Sequence, residues 1–366
     1  MPNTINHAEK WSDELLEIYQ QETLISPFIT TNVNWLDAKT FHFTQMSTSG
    51  YKDHSQSGGW NRGTFVQTDV PFTVNHDRDV EFLVDKREVD ESNATASIKN
   101  ISKVFTRTQA APESNAYFFS KIAQTAKGLS GYNSSTDLTS YTAANVYSKI
   151  KSAIGAGKLR RYKAKGALIC YVRSEIMDLL EISTEINRKI EMTQIAEGGI
   201  GIKTRITDID GVPIMEVIDD EVFYDYFDFN GSDGGFEPVA PVAAVYTITS
   251  DVAVDDDKTY YTRSGSAGSY TYTAVDEPKV ASIASYYELT TPAITGSHKI
   301  NMLIASPLTS KYVPKIASIY SFAPGTHTQG DGYLYQNRSL SDVFTFPNGK
   351  NGQIDSVYVD IGEAAE

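Results

Sequence analysis

The chain has 366 residues, of which 40 % are apolar and 11 % are aromatic, so it can bury a sizeable core in one elaborated domain or two packed ones. Plentiful aromatic residues and a moderate share of charged residues argue against long disorder. The net charge of −14 argues against gripping DNA through its phosphates as the main role, because that role requires a basic face.

Cys170 is the only cysteine, which excludes a disulfide framework within the chain and a cysteine-based metal site. The N-terminal Met-Pro-Asn-Thr lacks the basic stretch and apolar run of a signal peptide. No segment approaches the roughly 20 apolar residues that span a membrane. We therefore expect a chain that is made and folded in the cytoplasm and has no membrane partner.

Residues 1–37 are predicted to form an N-terminal arm that carries one short helix. Ser12 is a suitable N-cap, and Leu15, Leu16 and Tyr19 follow it as an apolar stripe. Pro27 ends this pattern.

Residues 38–78 are predicted to form a long two-stranded hairpin. Phe41 and Phe43 alternate with polar residues, and a second alternation follows a polar, glycine-rich stretch. The returning apolar positions are Val70, Phe72 and Val74. Because an isolated two-stranded ribbon is marginal in water, this hairpin needs a partner surface.

All three tryptophans, Trp11, Trp35 and Trp60, lie in this first sixth of the chain. They anchor either the arm and hairpin to the body of their own subunit or one subunit to the next, since tryptophan is enriched among interface hot spots. The sequence leaves both interpretations open. We take the three tryptophans, with Phe41 and Phe43, as candidate contacts between subunits.

The next predicted elements are a strand with Val80, Phe82 and Val84 in alternation and a long helical stretch from about Ser92 to Lys127. Pro112 is expected to kink or break the helix.

From residue 131 onward, helix and strand signals alternate, which indicates an α+β fold with mixed sheets. We expect one helix capped by Thr142, with an apolar stripe of Val146, Ile150 and Ile154, and another capped by Ser174. The predicted strands cover residues 167–172, 214–218, 222–229 and 300–305.

Residues 237–297 differ in composition from their flanks. The block has proline-rich edges and no tryptophan or phenylalanine, but it is dense in tyrosine. Strict alternation in Ser269-Tyr270-Thr271-Tyr272-Thr273 predicts strand. We interpret the block as a small β-rich insertion whose candidate surface contacts are Tyr260, Tyr261, Tyr270 and Tyr272.

No catalytic, cofactor-binding or metal-binding residues are predicted. The six histidines are scattered without metal-ligand spacing, and no nucleophile elbow, phosphate loop or dinucleotide fingerprint occurs. The glycine-rich stretch 198–201 lacks the Lys-Ser/Thr of a phosphate loop, and Cys170 lies in an apolar run where a thiol is usually inert.

Four stretches resemble the major capsid proteins of tailed bacteriophages, which have the Hong Kong 97-type fold. Residues 77–85 look like the strand that leads into the family's spine helix, and Ala116–Ala123 looks like the spine segment itself. Residues 335–344 look like the return into the peripheral domain, and Ser356–Ile361 looks like the closing strand. The order of arm, hairpin, spine helix and α+β domain is also similar.

This resemblance implies a domain organisation. Residues 1–37 would be the N-terminal arm and 38–78 the extended hairpin loop. Residues 79–130, with the spine helix, and 331–352 would form the peripheral domain, and 131–330 the axial domain, interrupted by the 237–297 insertion. Residues 353–366 would be the C-terminal strand.

The resemblance also implies a structural protein and no enzyme. Its copies would assemble as hexamers and pentamers into an icosahedral head shell enclosing double-stranded DNA, built in the host cytoplasm and found in the virion. The acidic charge suits a wall that encloses DNA without binding it. The short arm implies a separate scaffolding protein or none, and a portal is expected. The insertion could meet a decoration protein or the host surface.

Three other classes remain as alternatives. An encapsulin-like bacterial nanocompartment shell has the same fold. A phage tail or host-adhesion protein would suit the tyrosine-rich block, but the long helical spine argues against mostly-β proteins. The absence of a catalytic constellation argues against a hydrolase.

Overall fold

The computed structural model describes residues 23–30, 39–54, 60–86, 98–183, 191–194, 203–229, 235–241, 244–248, 259–266, 269–275, 286–291, 296–328, 330, 332–348 and 352–364. The predicted N-terminal helix, Trp11, Trp35 and the glycine-rich stretch 198–201 lie outside these residues.

The strands in chain order are β1 Thr40–Thr48, β2 Phe65–Thr73, β3 His76–Asp85, β4 Asn133–Ser135, β5 Ile169–Arg173, β6 Glu191–Gln194, β7 Lys203–Ile209, β8 Val212–Val217, β9 Val245–Ile248, β10 Tyr260–Ser266, β11 Ser269–Val275, β12 Tyr286–Thr291, β13 His298–Ala305, β14 Ser310–Phe322, β15 Gly332–Thr345 and β16 Val357–Ala364. The helices are α1 Ile98–Phe105, α2 Ala111–Lys127, α3 Val146–Ile154, α4 Arg160–Lys163 and α5 Ser174–Ile182. The α+β class predicted from the sequence is confirmed.

A seven-stranded mixed sheet in the order β4-β16-β13-β5-β8-β7-β6 is the centre of the fold. Its central strand β5 is buried on both faces: Ile169 and Tyr171 join one hydrophobic cluster, while Cys170 and Val172 join the other. Helix α2 covers the first face, and α3 and α5 cover the second. Double-sided burial explains why β5 has an uninterrupted apolar sequence with no alternation.

The long helical stretch is interrupted earlier than predicted. A π-helical turn at Thr106–Ala110 joins α1 to α2, and Pro112 lies in the first turn of α2. The backbone stays helical through Ala110 and Ala111, and proline has no N–H to donate into the turn before it, so the π turn lies where an α-helical hydrogen bond would be lost. The kink or break expected at Pro112 is a π-helical turn that ends two residues before the proline, and the helix ends at Lys127, before Gly128.

Two predicted helix caps were also wrong. The residue before α3 is Asn145, whose side chain accepts a hydrogen bond from the Thr142 backbone N–H. Ser174 is the first residue of α5, and its hydroxyl donates to the Val217 carbonyl at the end of β8. In both cases the hydroxyl residue is near the predicted helix start but does not cap it.

Residues 222–229 do not form the predicted strand. They begin in a 3-10 turn at Asp220–Val222 and continue with isolated bridges at Tyr224 and Asp228. Their aromatic side chains pack instead against α2, which is the predicted spine helix. The rings of Phe223 and Phe119 meet edge to face at 5.0 Å. Aromatic burial accounts for the apolar pattern without a strand.

A three-stranded antiparallel sheet in the order β14-β15-β3 forms a second body of structure. This pairing changes two predicted boundaries. Strand β14 pairs with β15, so a boundary at residue 330 would divide one hairpin between two domains. Strand β3 begins at His76, inside the range predicted for the hairpin loop.

The tyrosine-rich block contains a separate four-stranded sheet in the order β11-β10-β12-β9, and within the described chain these strands pair only with one another. The flanks of the block are joined at the base. The Ser297 N–H donates to the Val239 carbonyl at 2.8 Å, and the Val239 N–H donates to Ser297 Oγ at 2.8 Å. Gly296 packs so tightly on Pro241 that a Cβ would lie 2.6 Å from the proline nitrogen.

Candidate functional site

Strands β1 and β2 form the predicted two-stranded ribbon, with Thr40 opposite Thr73 and Thr48 opposite Phe65. Its proximal end is built into the body of the chain. Phe41 is 1 % exposed and meets Phe344 edge to face at 5.1 Å. Its own subunit covers this ring, so the assignment of Phe41 as a contact between subunits was wrong. The side chain of Phe43 lies outside the described part of the chain, and its assignment stays a prediction.

The distal end of the ribbon is uncovered. The side chain of Trp60 is 94 % exposed, and Tyr51, Phe65 and Val66 are also exposed. We call these four residues the tip patch. The Trp60 ring has a neighbour only in His54, at 6.0 Å, among the described rings. Concentrated exposed apolar surface of this kind marks interaction sites.

Ion pairs fix the ribbon where it joins the body. Asp77 on β3 lies 2.9 Å from Nζ of Lys39, the residue before β1, and 2.5 Å from Nη2 of Arg338 on β15. Hydrogen bonds, the one from Arg338 above all, hold the pKa of Asp77 well below its ordinary value.

A second group of contacts joins the start of β3 to the spine helix. His76 stacks on Tyr117 with ring centroids 4.1 Å apart, and Glu113 lies 2.7 Å from Arg78 and 3.1 Å from His76. The Tyr117 hydroxyl donates to Asp342 at 2.9 Å, and burial raises the pKa of that tyrosine. The base of the ribbon is therefore held by β3, which is bonded in turn to β15 and to α2.

This geometry supports binding rather than catalysis. Nine residues per strand extend roughly 30 Å, enough to present the tip patch well away from its own core. Trp60, predicted as a contact residue, lies in the patch, but sequence reasoning missed Tyr51, Phe65 and Val66. Adjacent Phe65 and Val66 place apolar side chains on both faces of a strand, a signal that was readable in the sequence.

The described residues include histidines, acidic residues and the single cysteine. They contain no group of three or more histidine, cysteine, aspartate or glutamate side chains arranged to hold a metal ion. Cys170 is completely buried, and burial raises the pKa of its thiol. No helix in the described ranges has the length and apolar character needed to cross a membrane.

The insertion tyrosines divide between two faces of their sheet. Tyr260 is 3 % exposed, so its assignment as a surface contact was wrong: alternation along β10 places it on the face opposite Tyr261, where it is covered. Tyr270 is 42 % exposed, and Tyr261 and Tyr272 are partly exposed. Sequence reasoning also missed Arg263, whose guanidinium carbon lies 4.1 Å from the centroid of the Tyr270 ring.

No family model matches the chain, and no curated protein matches it in sequence. Solved structures do match. The mature capsid of bacteriophage PhiM1 is 13 % identical, with a TM-score of 0.50 over 94 % of this chain and 88 % of that one. The capsid of cyanophage P-SCSP1u is 12 % identical, with a TM-score of 0.49 over 94 % and 89 %. A virus-like particle from Pyrococcus furiosus is 10 % identical, with a TM-score of 0.39 over 98 % and 100 %.

The likeness to the PhiM1 capsid establishes the fold of this chain. It is a phage-capsid fold with an extended ribbon, a spine helix and a large mixed sheet. The phage-capsid fold expected from the sequence resemblance is confirmed, and its architecture is consistent with the Hong Kong 97 type.

Proposed function

We propose that this chain is the major capsid subunit of a tailed bacteriophage and that its copies assemble as hexamers and pentamers into a closed icosahedral shell. The observation that supports this most directly is the ribbon. It is fixed to the body at one end and leaves the four apolar side chains of the tip patch uncovered at the other, within a chain that has a capsid fold.

In the shell, a neighbouring subunit would bury the tip patch. Burying a large apolar side chain is worth about 1.5–3 kcal/mol, and the described chain leaves Trp60, Tyr51 and Phe65 in water. In a closed shell every subunit both receives and supplies such a contact. The stabilisation is therefore repeated at each subunit, while the isolated chain gains nothing from these residues.

The remaining partners follow from the shell. The net charge of −14 suits a wall around double-stranded DNA, because the wall then encloses phosphates without holding them. We expect a scaffolding protein and a portal during assembly in the host cytoplasm. The insertion would face outward and meet a decoration protein or the host surface. The chain acts as a structural component of the virion and catalyses no reaction.

Electron microscopy tests this proposal. The intact protein, produced together with the genes that neighbour it, is expected to form closed shells tens of nanometres across. Monomers alone in light scattering would refute the proposal. Rods or small oligomers would favour a tail or adhesion protein, and shells that package protein cargo but no DNA in the native host would favour a nanocompartment.

A further inference from the structure

The insertion sheet collects aromatic side chains on one face around an arginine. Arg263 pairs with Tyr272 across β10 and β11, and Tyr261 pairs with Tyr287 across β10 and β12. Cross-strand partners, and residues two apart on a strand, share a face. The arginine patch therefore consists of Tyr261, Arg263, Tyr270, Tyr272 and Tyr287.

Two tyrosines on opposite sides hold the guanidinium group of Arg263. Its central carbon is 4.1 Å from the ring centroid of Tyr270 on β11 and 4.8 Å from that of Tyr287 on β12. Gly265, directly opposite Tyr270, has no side chain, so it leaves this ring open to Arg263. Cation–π contacts fix the guanidinium in place while the side chain stays exposed.

Arg263 makes ring contacts where other arginines make ion pairs. Arg78, Arg161, Arg173 and Arg338 each lie within ion-pair distance of a carboxylate. Arg263 has no ion pair in the described structure, although the chain has 46 acidic residues and only 32 lysines and arginines. Stacking uses the faces of a guanidinium and leaves the N–H groups at its edge available for a carboxylate.

We propose that the arginine patch binds a carboxylate-bearing saccharide, such as a uronic acid unit of an acidic polysaccharide. Arg263 would donate two parallel hydrogen bonds to the sugar carboxylate. Tyr270, 42 % exposed, offers a flat amphipathic ring beside it for the apolar face of the sugar.

Two features favour a saccharide over a protein partner. Arg263 and Tyr270 are the exposed part of the patch, whereas protein hot spots lie in pockets that exclude water. A polysaccharide is also repetitive, so weak binding at one patch becomes strong when many copies engage it. The gain in affinity from many copies rests on the proposed shell. Binding of the saccharide to a single insertion does not depend on the shell.

The net charge of −14 is screened beyond about 8 Å in physiological salt, so it does not oppose contacts at hydrogen-bond distance.

The test uses the purified full chain and three polymers: polygalacturonate, neutral dextran and poly-glutamate. Calorimetry at physiological ionic strength is expected to detect binding of polygalacturonate alone. Equal binding of dextran would overturn the role of the carboxylate. Equal binding of poly-glutamate would overturn the saccharide assignment in favour of a protein carboxylate, and no binding of any polymer would overturn the site.

Variants at Arg263 complete the test. Arg263→Ala is expected to weaken binding about tenfold or more, as loss of a charge-assisted hydrogen bond predicts. Arg263→Lys keeps the charge but loses the planar fork, so it should also bind several-fold more weakly. Thr262→Ala, on the opposite face of the same strand, is the matched control and should bind normally. Wild-type binding by Arg263→Lys would overturn bidentate recognition.

Circular dichroism separates loss of binding from loss of folding. Arg263→Lys keeps its aliphatic stem, so its melting curve should match that of the wild type. A negative result for saccharide binding would not contradict the proposed shell, because shell formation is measured separately by electron microscopy.

Discussion

Two aromatic residues of the ribbon have opposite environments. Trp60 is 94 % exposed at the tip, and Phe41 is 1 % exposed at the base. Sequence reasoning assigned both to contacts between subunits, Phe41 because the hairpin needs a partner surface and Trp60 because tryptophan is enriched at interfaces. Only Trp60 has the exposure that such a role requires.

Substitution of Trp60 by alanine is expected to affect assembly and not folding. Loss of a hot-spot side chain should weaken each subunit contact by roughly 2–4 kcal/mol. An exposed side chain contributes little within its own subunit, so unfolding of the monomer should change by less than about 0.5 kcal/mol. Light scattering of assembly and denaturant unfolding of the monomer measure the two effects. A destabilised monomer that assembles normally would contradict this.

Phe41→Ala provides the reverse case. Truncating a buried phenylalanine leaves a cavity among Phe72, Phe344 and Phe346, and it should cost about 3–5 kcal/mol of unfolding free energy. Denaturant unfolding of the monomer measures this loss of unfolding free energy. An unchanged midpoint would show that the base of the ribbon is not packed as described.

Asp77 should make stability depend on acid. Its pKa in the folded chain lies below the ordinary value of 3.8, because Arg338 and Lys39 bond the charged form. Such a carboxyl stabilises the fold above its ordinary pKa and loses that contribution as pH falls below it. Both cationic partners are about half exposed, so solvent screening limits the effect to about 1 kcal/mol or less.

The measurement is unfolding free energy against pH for wild type and Asp77→Asn. The wild type should be the more stable at pH 7, and the difference should shrink as pH falls below 3.8. Asp53→Asn, at an exposed aspartate that makes no ion pair in the described structure, is the control. A difference that grows in acid would mean that the ion pairs do not stabilise the fold.

At the scale of elements, the insertion behaves as a unit attached at one place. Val239 and Ser297 exchange hydrogen bonds, and the four strands between them pair among themselves in the described structure. Insertions with adjacent ends at the surface are tolerated by the host domain.

Replacement of residues 239–296 by a short Gly-Ser linker should therefore leave folding and shell assembly intact. Circular dichroism and electron microscopy test this, and any saccharide binding should disappear with the module. A deleted chain that cannot fold would show that the block belongs to the main core and that its predicted boundaries are wrong.

At the scale of the whole molecule, Cys170 reports on the central sheet. It lies in β5 in the middle of seven strands, completely buried, and burial raises the pKa of its thiol. A thiol reagent should therefore modify it only when the sheet opens. Modification rates in increasing denaturant should follow global unfolding. Rapid modification in buffer would show that this part of the core opens locally.

Sequence periodicity was sufficient to locate the elements whose buried residues repeat regularly along the chain. Alternation located the ribbon and β3, helical spacing located α2 and α3, and a continuous apolar run located β5. Each pattern records which faces of one element are buried, and that information is local to the element.

The tertiary structure decided what neighbours each face. The fold covers Phe41 at the base of the ribbon and leaves Trp60 uncovered at its tip, and residues 222–229 pack on α2 instead of forming a strand. Strand β14 joins β15 because pairing depends on contacts between distant segments. Arg263 became notable only when the registers of three strands placed it between Tyr270 and Tyr287, since cross-strand neighbours are not encoded in the spacing along one strand.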